Sequence, residues 1–133
     1  HVDKDSMFNT PPTFSIYIMN LVLKWIKDQG GLAAIEKTNN EKGKLLYGIM
    51  DDNKDFFRGA TELDSRSLMN VTMRLPNEEL EAKFIKEAEE HGLIGLKGHR
   101  SVGGCRASIY NPTPLTGVEA LVDFMKTFEK RNG

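Results

Sequence analysis

The chain has 133 residues, 39% of them hydrophobic, with 18 Lys and Arg against 19 Asp and Glu and a formal net charge of -1. That size allows one domain with its own core, and the charge balance leaves no bulk positive field to hold nucleic acid or an anionic membrane, so a bound anion must be met by a local cluster. A single cysteine, Cys105, excludes an internal disulfide framework, CxxC redox chemistry and Cys-rich zinc motifs, and fits a reducing compartment, cytosol or an organelle matrix.

The polar leader HVDKDSMFNT carries no initiator Met, so residue 1 is expected to be an artificial boundary or a cut inside a longer chain. No signal peptide and no apolar run of about 18 residues is found, and a soluble protein is expected. The stretch 10–31 predicts a helix. Phe14, Tyr17, Ile18, Leu21, Val22 and Trp25 follow the 3.6 period, Pro11 suits a first turn, Thr10 is placed to cap it, and Gly30 and Gly31 suit its end. Ile16, Met19, Leu23 and Ile26 make its other faces apolar too, which points to a central core helix or to one lying against a further domain or a second subunit.

A second helix is expected from Leu32 to Met50, with Ile35, Leu45, Leu46 and Ile49 inward, although Asn39, Asn40 and Gly43 weaken its middle. KDFFRGA reads as a short strand and turn. In SLMNVTMRL, Met69, Val71, Met73 and Leu75 alternate with Asn70, Thr72 and Arg74, giving a half-buried strand closed by Pro76. Asn77 then caps a helix with Leu80, Phe84 and Ala88 inward and Gly92 as its stop. Strands are expected at Leu93 to Lys97 and at Cys105 to Tyr110, the latter with Arg106, Ser108 and Tyr110 on one face. The last helix carries a Thr116 to Glu119 capping box and buries Val118, Leu121, Val122, Met125 and Phe128. This order predicts an α+β fold, an antiparallel sheet with helices on one face.

LKGHRSVGGCRAS concentrates positive charge beside a Gly-Gly pair. Arg106 points away from the apolar layer, and an arginine fork matches a carboxylate in bidentate fashion. Taken alone, a strand arginine is most simply solvated or ion-paired. With His99 and Arg100 a few residues earlier, the cluster suits a small anion with more than one acidic group. FNTPPT offers a second anion locus through the Asn9 side chain and the Thr10 hydroxyl and amide, since Pro11 and Pro12 remove two donors; most simply it is a helix start. The three histidines show no metal-ligand spacing, no GxSxG or P-loop occurs, and no nucleophile or acid-base set emerges, so no catalytic residue is assigned within this chain and no metal is expected.

SMFNTPPTFSIYIMNLVLKWIKDQGG, SRSLMNV, LKGHRSVGGCRASIYNPTPLTGVEAL and DFMKTFEKRNG, in unbroken order from about Ser6 to the end, together resemble the C-terminal part of the phosphoserine aminotransferase family. The resemblance implies a homodimeric, pyridoxal-phosphate-dependent transaminase of fold type I that exchanges an amino group between glutamate and 3-phosphohydroxypyruvate in serine biosynthesis. It implies that residues 1–31 are a leader and interdomain helix and 32–133 the small domain, the large cofactor-binding domain being absent from this chain. It also implies that Asn9 and Thr10 help hold the cofactor phosphate, usually that of the neighbouring subunit. Arg106 would bind the substrate α-carboxylate, and His99 and Arg100 the distal phosphate or carboxylate. The family's Schiff-base lysine, the acidic partner of the pyridine nitrogen and the stacking aromatic ring all lie upstream of FNTPPT, so the segment alone is expected to be inactive. A free-standing anion-binding or dimerisation module is the alternative; a related fold type I enzyme with another substrate is disfavoured by GHRSVGGCRAS. A cytoplasmic setting is expected, with no nucleic-acid or membrane partner.

Overall fold

A computed structural model describes all of residues 1–133, which divide into two compact units, His1–Glu36 and Lys37–Gly133. The first unit holds a 3-10 turn at Val2–Lys4 and helix α1 (Thr13–Asp28). The helix begins three residues later than Thr10. Pro12 occupies the N-cap position with no side-chain cap, and the Thr13 hydroxyl and amide both turn to the Pro11 carbonyl, so Thr10 does not cap and Pro11 lies ahead of the first turn. A residue preceding proline is pushed out of the helical region, which accounts for the shift. The end falls where the glycines predict, with Gly30 and Gly31 at φ of 96° and 81°. No residue of α1 is buried: Ile16 is 54% and Leu23 58% exposed. No helix of the chain is long and apolar enough to cross a membrane.

Helix α2 (Gly31–Asp52) continues through both asparagines and Gly43. Glycine is a poor helix former, yet here it makes room: a Cβ at 43 would lie 2.5 Å from Leu68 Cδ2. The buried face of α2 is Asn39, Lys42, Gly43, Leu46, Tyr47, Ile49 and Met50, whereas Leu45, expected inward, is exposed at the surface. Tyr47 donates its hydroxyl to the Ser67 carbonyl at 2.9 Å, and Arg66 lies over its ring while pairing through both guanidinium nitrogens with Asp51. These contacts strap the segment before the second strand onto the helix.

Strands β1 (Arg58–Gly59), β2 (Asn70–Arg74) and β3 (Cys105–Ser108) form an antiparallel sheet in that order. Val71, Met73, Cys105 and Ala107 face the core, with Asn70, Thr72, Arg74, Arg106 and Ser108 half-buried on the opposite face, as a period of two requires. The expected strand at Leu93 to Lys97 is not one: only Lys97 bridges, to Cys105, because Gly95 at φ 78° breaks the extension. Helix α3 (Glu78–Glu90) has the predicted cap, Asn77 accepting from the Leu80 amide at 2.9 Å. Helix α4 (Leu115–Asn132) starts ahead of the expected box, with Pro114 at its N-cap, so Thr116 lies inside the first turn and caps nothing. Its predicted inward residues are all buried, joined by Phe124. Phe84, wholly buried among Phe57, Phe124 and Phe128 at ring separations of 5.2 to 6.2 Å, centres the core. Burying such a side chain is worth about 2 to 3 kcal/mol.

Candidate anion site on the polar face of the sheet

The antiparallel pairing sets Arg106 opposite Thr72, and the Arg106 amide donates to the Leu96 carbonyl at 2.8 Å, so strand β3 is held on both sides where its arginine emerges. The side chain itself is unpartnered. Its buried Nε has no acceptor within the protein, and no carboxylate pairs with the guanidinium. A buried guanidinium nitrogen without an acceptor is costly unless a ligand completes it.

Between Lys97 and Cys105 the chain makes a tight turn. The Gly98 amide donates to the Gly104 carbonyl at 2.9 Å, and the Val102 and Gly103 amides both donate to the His99 carbonyl, at 2.9 and 2.8 Å. Gly98 admits no side chain, since a Cβ there would collide with the Gly103 carbonyl oxygen, and Gly104 adopts φ 71°. His99 and Arg100 are displayed, exposed, at the head of this turn, with His99 Nδ1 2.7 Å from the Ser101 hydroxyl. Together with Lys97 and Arg74 they line a recess of about 570 Å³ whose acidic members are Glu78 and Glu81. Arg74 is neutralised by Glu81 at 2.6 Å. Lys97 and Arg100 have no acidic partner, which leaves the recess a surplus of positive charge. A groove of similar volume between α2 and α4 contains none of these residues.

Asn9 and Thr10 belong to the first unit, where both are exposed and neither side chain has a partner within the protein. Their amide and hydroxyl donors suit a phosphate oxygen.

Sequence reasoning passed over Lys42. It is fully buried, yet no carboxylate accompanies it; its ammonium donates instead to the carbonyls of Ile109, Tyr110 and Thr113 at 3.0, 2.8 and 3.2 Å. Loss of water lowers its pKa. With all three hydrogens engaged and no surface exposed, this lysine ties the end of β3 to α2 and is not a free nucleophile. Asn39, one turn earlier, donates to Asn111 Oδ1 at 2.8 Å and strengthens the same tie. The only sequence signal was a lysine on the apolar side of a helix. Cys105 is inert as well, burial pushing its thiol up to about 12, with Glu81 adding to the rise.

A half-polar antiparallel sheet backed by helices carries an unpaired arginine on one strand and further cations at a glycine turn, a distribution that suits anions. The chain belongs to the class-V aminotransferase family, whose model matches residues 2–121. It is 62% identical over 132 residues to a phosphoserine aminotransferase of Desulfatibacillum aliphaticivorans and 54% identical to that of Geobacillus kaustophilus, in each case over 98% of this chain and 36% of the relative. Among solved structures it resembles phosphoserine aminotransferase from Bacillus circulans subsp. alkalophilus, with a TM-score of 0.90, 52% identity and coverage of 99% of this chain and 37% of that one. It also resembles a pyridoxal-phosphate-bound phosphoserine aminotransferase from Trichomonas vaginalis, with a TM-score of 0.82, 43% identity and coverage of 94% and 36%. The expected resemblance and the α+β small-domain fold are thereby borne out. The chain spans little more than a third of the length of these relatives.

Proposed function

We propose that this chain is the C-terminal segment of a phosphoserine transaminase, residues 1–31 serving as leader and interdomain helix and 32–133 as the small domain that grips the substrate. The carrying observation is Arg106, a half-buried guanidinium with no partner of its own on the polar sheet face. It receives the α-carboxylate common to phosphoserine and glutamate through its planar fork. His99 and Arg100 receive the distal group, the phosphate of one substrate or the side-chain carboxylate of the other. Holding two separated acidic groups fixes the amino acid in one orientation, so that the same bond is presented in every turnover.

Asn9 and Thr10 fit the cofactor phosphate as unpartnered donors, supplied to the neighbouring subunit of a homodimer. Storage of the electron pair released at the substrate α-carbon is the chemistry that pyridoxal phosphate supplies when bound. The relatives' names support both the reaction and the cofactor, and a cytoplasmic setting accords with one buried, unpaired cysteine.

The test is steady-state kinetics of the full-length protein with phosphoserine and with glutamate. Arg106→Lys keeps the charge but not the fork, and kcat/KM is expected to fall about tenfold or more for both donors. Arg100→Ala is expected to fall harder on phosphoserine, whose distal group carries the greater charge. Wild-type kcat/KM for both donors in Arg106→Lys, or equal losses in Arg100→Ala, would overturn these roles.

A further inference from the structure

Arg74 lies on the polar face of β2 and has no part in the reading above. Its Nε donates to Glu81 Oε1 of α3 at 2.6 Å, and its Nη1 donates to the Val102 carbonyl at 3.0 Å. Glu81 is only 6% exposed, and the same oxygen accepts from the Leu75 amide at 3.3 Å. A carboxylate so withdrawn from water needs a cation beside it, so one edge of the fork is fixed and the guanidinium plane is set.

The other edge reaches the turn that displays His99 and Arg100. From residue 98 to 104 the turn's own hydrogen bonds join Gly98 to Gly104 and His99 to Val102 and Gly103, and His99 meets Ser101. Arg74 supplies the side-chain hydrogen bond that ties this turn to the rest of the fold. The fit is close. A Cβ at Gly104 would stand 2.7 Å from Arg74 Cδ, so that glycine leaves room for the arginine against the turn's backbone, while one at Gly103 would only touch its Nη1 at 3.4 Å.

We propose that Arg74 is a positioning residue, a clamp from α3 through β2 to the Val102 carbonyl that fixes the shape of the 98–104 turn and thereby aims His99 and Arg100 at a small phosphorylated anion. The anion rests on the function proposed above; the clamp does not. Because Glu81 already neutralises Arg74, its effect comes from the two-ended geometry of the guanidinium rather than from added charge. Lysine can reach Glu81 or the Val102 carbonyl but has no rigid fork to hold both.

The experiment uses NMR on the full-length protein, comparing wild type, Arg74→Met and Arg74→Lys. Amide hydrogen exchange is read at Gly98 and Gly103, and affinity for inorganic phosphate from the His99 ring shifts, with exchange in α4 as the control for folding. Both variants are expected to lose about fivefold or more of the protection at Gly98 and Gly103, and to bind phosphate about fivefold to tenfold more weakly, with α4 unchanged. Wild-type protection at both glycines in Arg74→Met would overturn the clamp, and so would wild-type phosphate affinity in Arg74→Lys. Were wild type itself not to respond to phosphate, the anion reading would fail, and the exchange at Gly98 and Gly103 would still decide for or against the clamp.

Discussion

Residues 1–36 and residues 37–133 both carry apolar helical patterns, that of α1 the more apolar, and end in opposite states. Every buried hydrophobic side chain of the chain lies in the second unit, where three helices and a sheet face share one core. In the first, α1 keeps Phe14, Ile16, Tyr17, Met19 and Leu23 exposed. Apolar periodicity says which face of a helix seeks cover. It does not say whether the chain contains the cover, because burial stabilises only where a complementary surface is supplied.

The contrast is broken most severely at its densest point. Phe84→Ala is expected to cost about 3 to 5 kcal/mol in denaturant unfolding, since its neighbours cannot close around the gap. Leu23→Ala on α1 should stay within about 0.5 kcal/mol, as for other exposed sites. Equal losses at the two positions would erase the distinction.

Next in size is Lys42→Met, which keeps the stem but strands three carbonyls, expected to cost about 1 to 3 kcal/mol. The pH dependence sharpens this. A lysine whose folded pKa is lowered binds fewer protons folded than unfolded at pH values between its folded pKa and the ordinary lysine value of 10.5, so stability rises with pH across that window. The Met variant should lack that rise in unfolding midpoints measured toward alkaline pH.

A smaller effect belongs to the strap on α2. The paired Arg66 guanidinium holds the Asp51 carboxyl below its usual value. Its contribution is present above the unfolded-state pKa and lost as pH falls through the folded one. Asp51→Asn should therefore cost about 1 kcal/mol or less near neutrality, the difference vanishing in acid.

The smallest in energy concerns α1 itself. The chain is expected to self-associate or to bind a hydrophobic dye, and Leu23→Glu should reduce either. A monodisperse wild-type monomer without dye binding, by sedimentation and fluorescence, would show that its apolar face needs no cover.

Much of this was legible beforehand because its causes are local. The alternation of Val71 and Met73 with Thr72 and Arg74, the Asn77 cap and the inward stripe of α4 each depend on residues a few positions apart. The positive charge from His99 to Arg106 was legible in the sequence for the same reason, but the recess takes in His99 and Arg100 and not Arg106. Local signals failed where two were equally good. Thr10 and Thr116 both looked like caps, and the backbone preference imposed by neighbouring prolines placed the helix starts at Thr13 and Leu115 instead.

What the sequence by itself determined was the set of elements, their apolar faces and the cations of one turn, all properties of spacing along the chain. Only the tertiary structure decided that Gly43 is needed against Leu68, that Lys42 is satisfied by three carbonyls 67 to 71 residues away, and that Arg74 and Arg106, alike on their strands, differ in having partners. The physical reason is that the partner of a buried polar group is chosen by which distant segments are packed together, and desolvation makes that choice energetically decisive only after the packing exists.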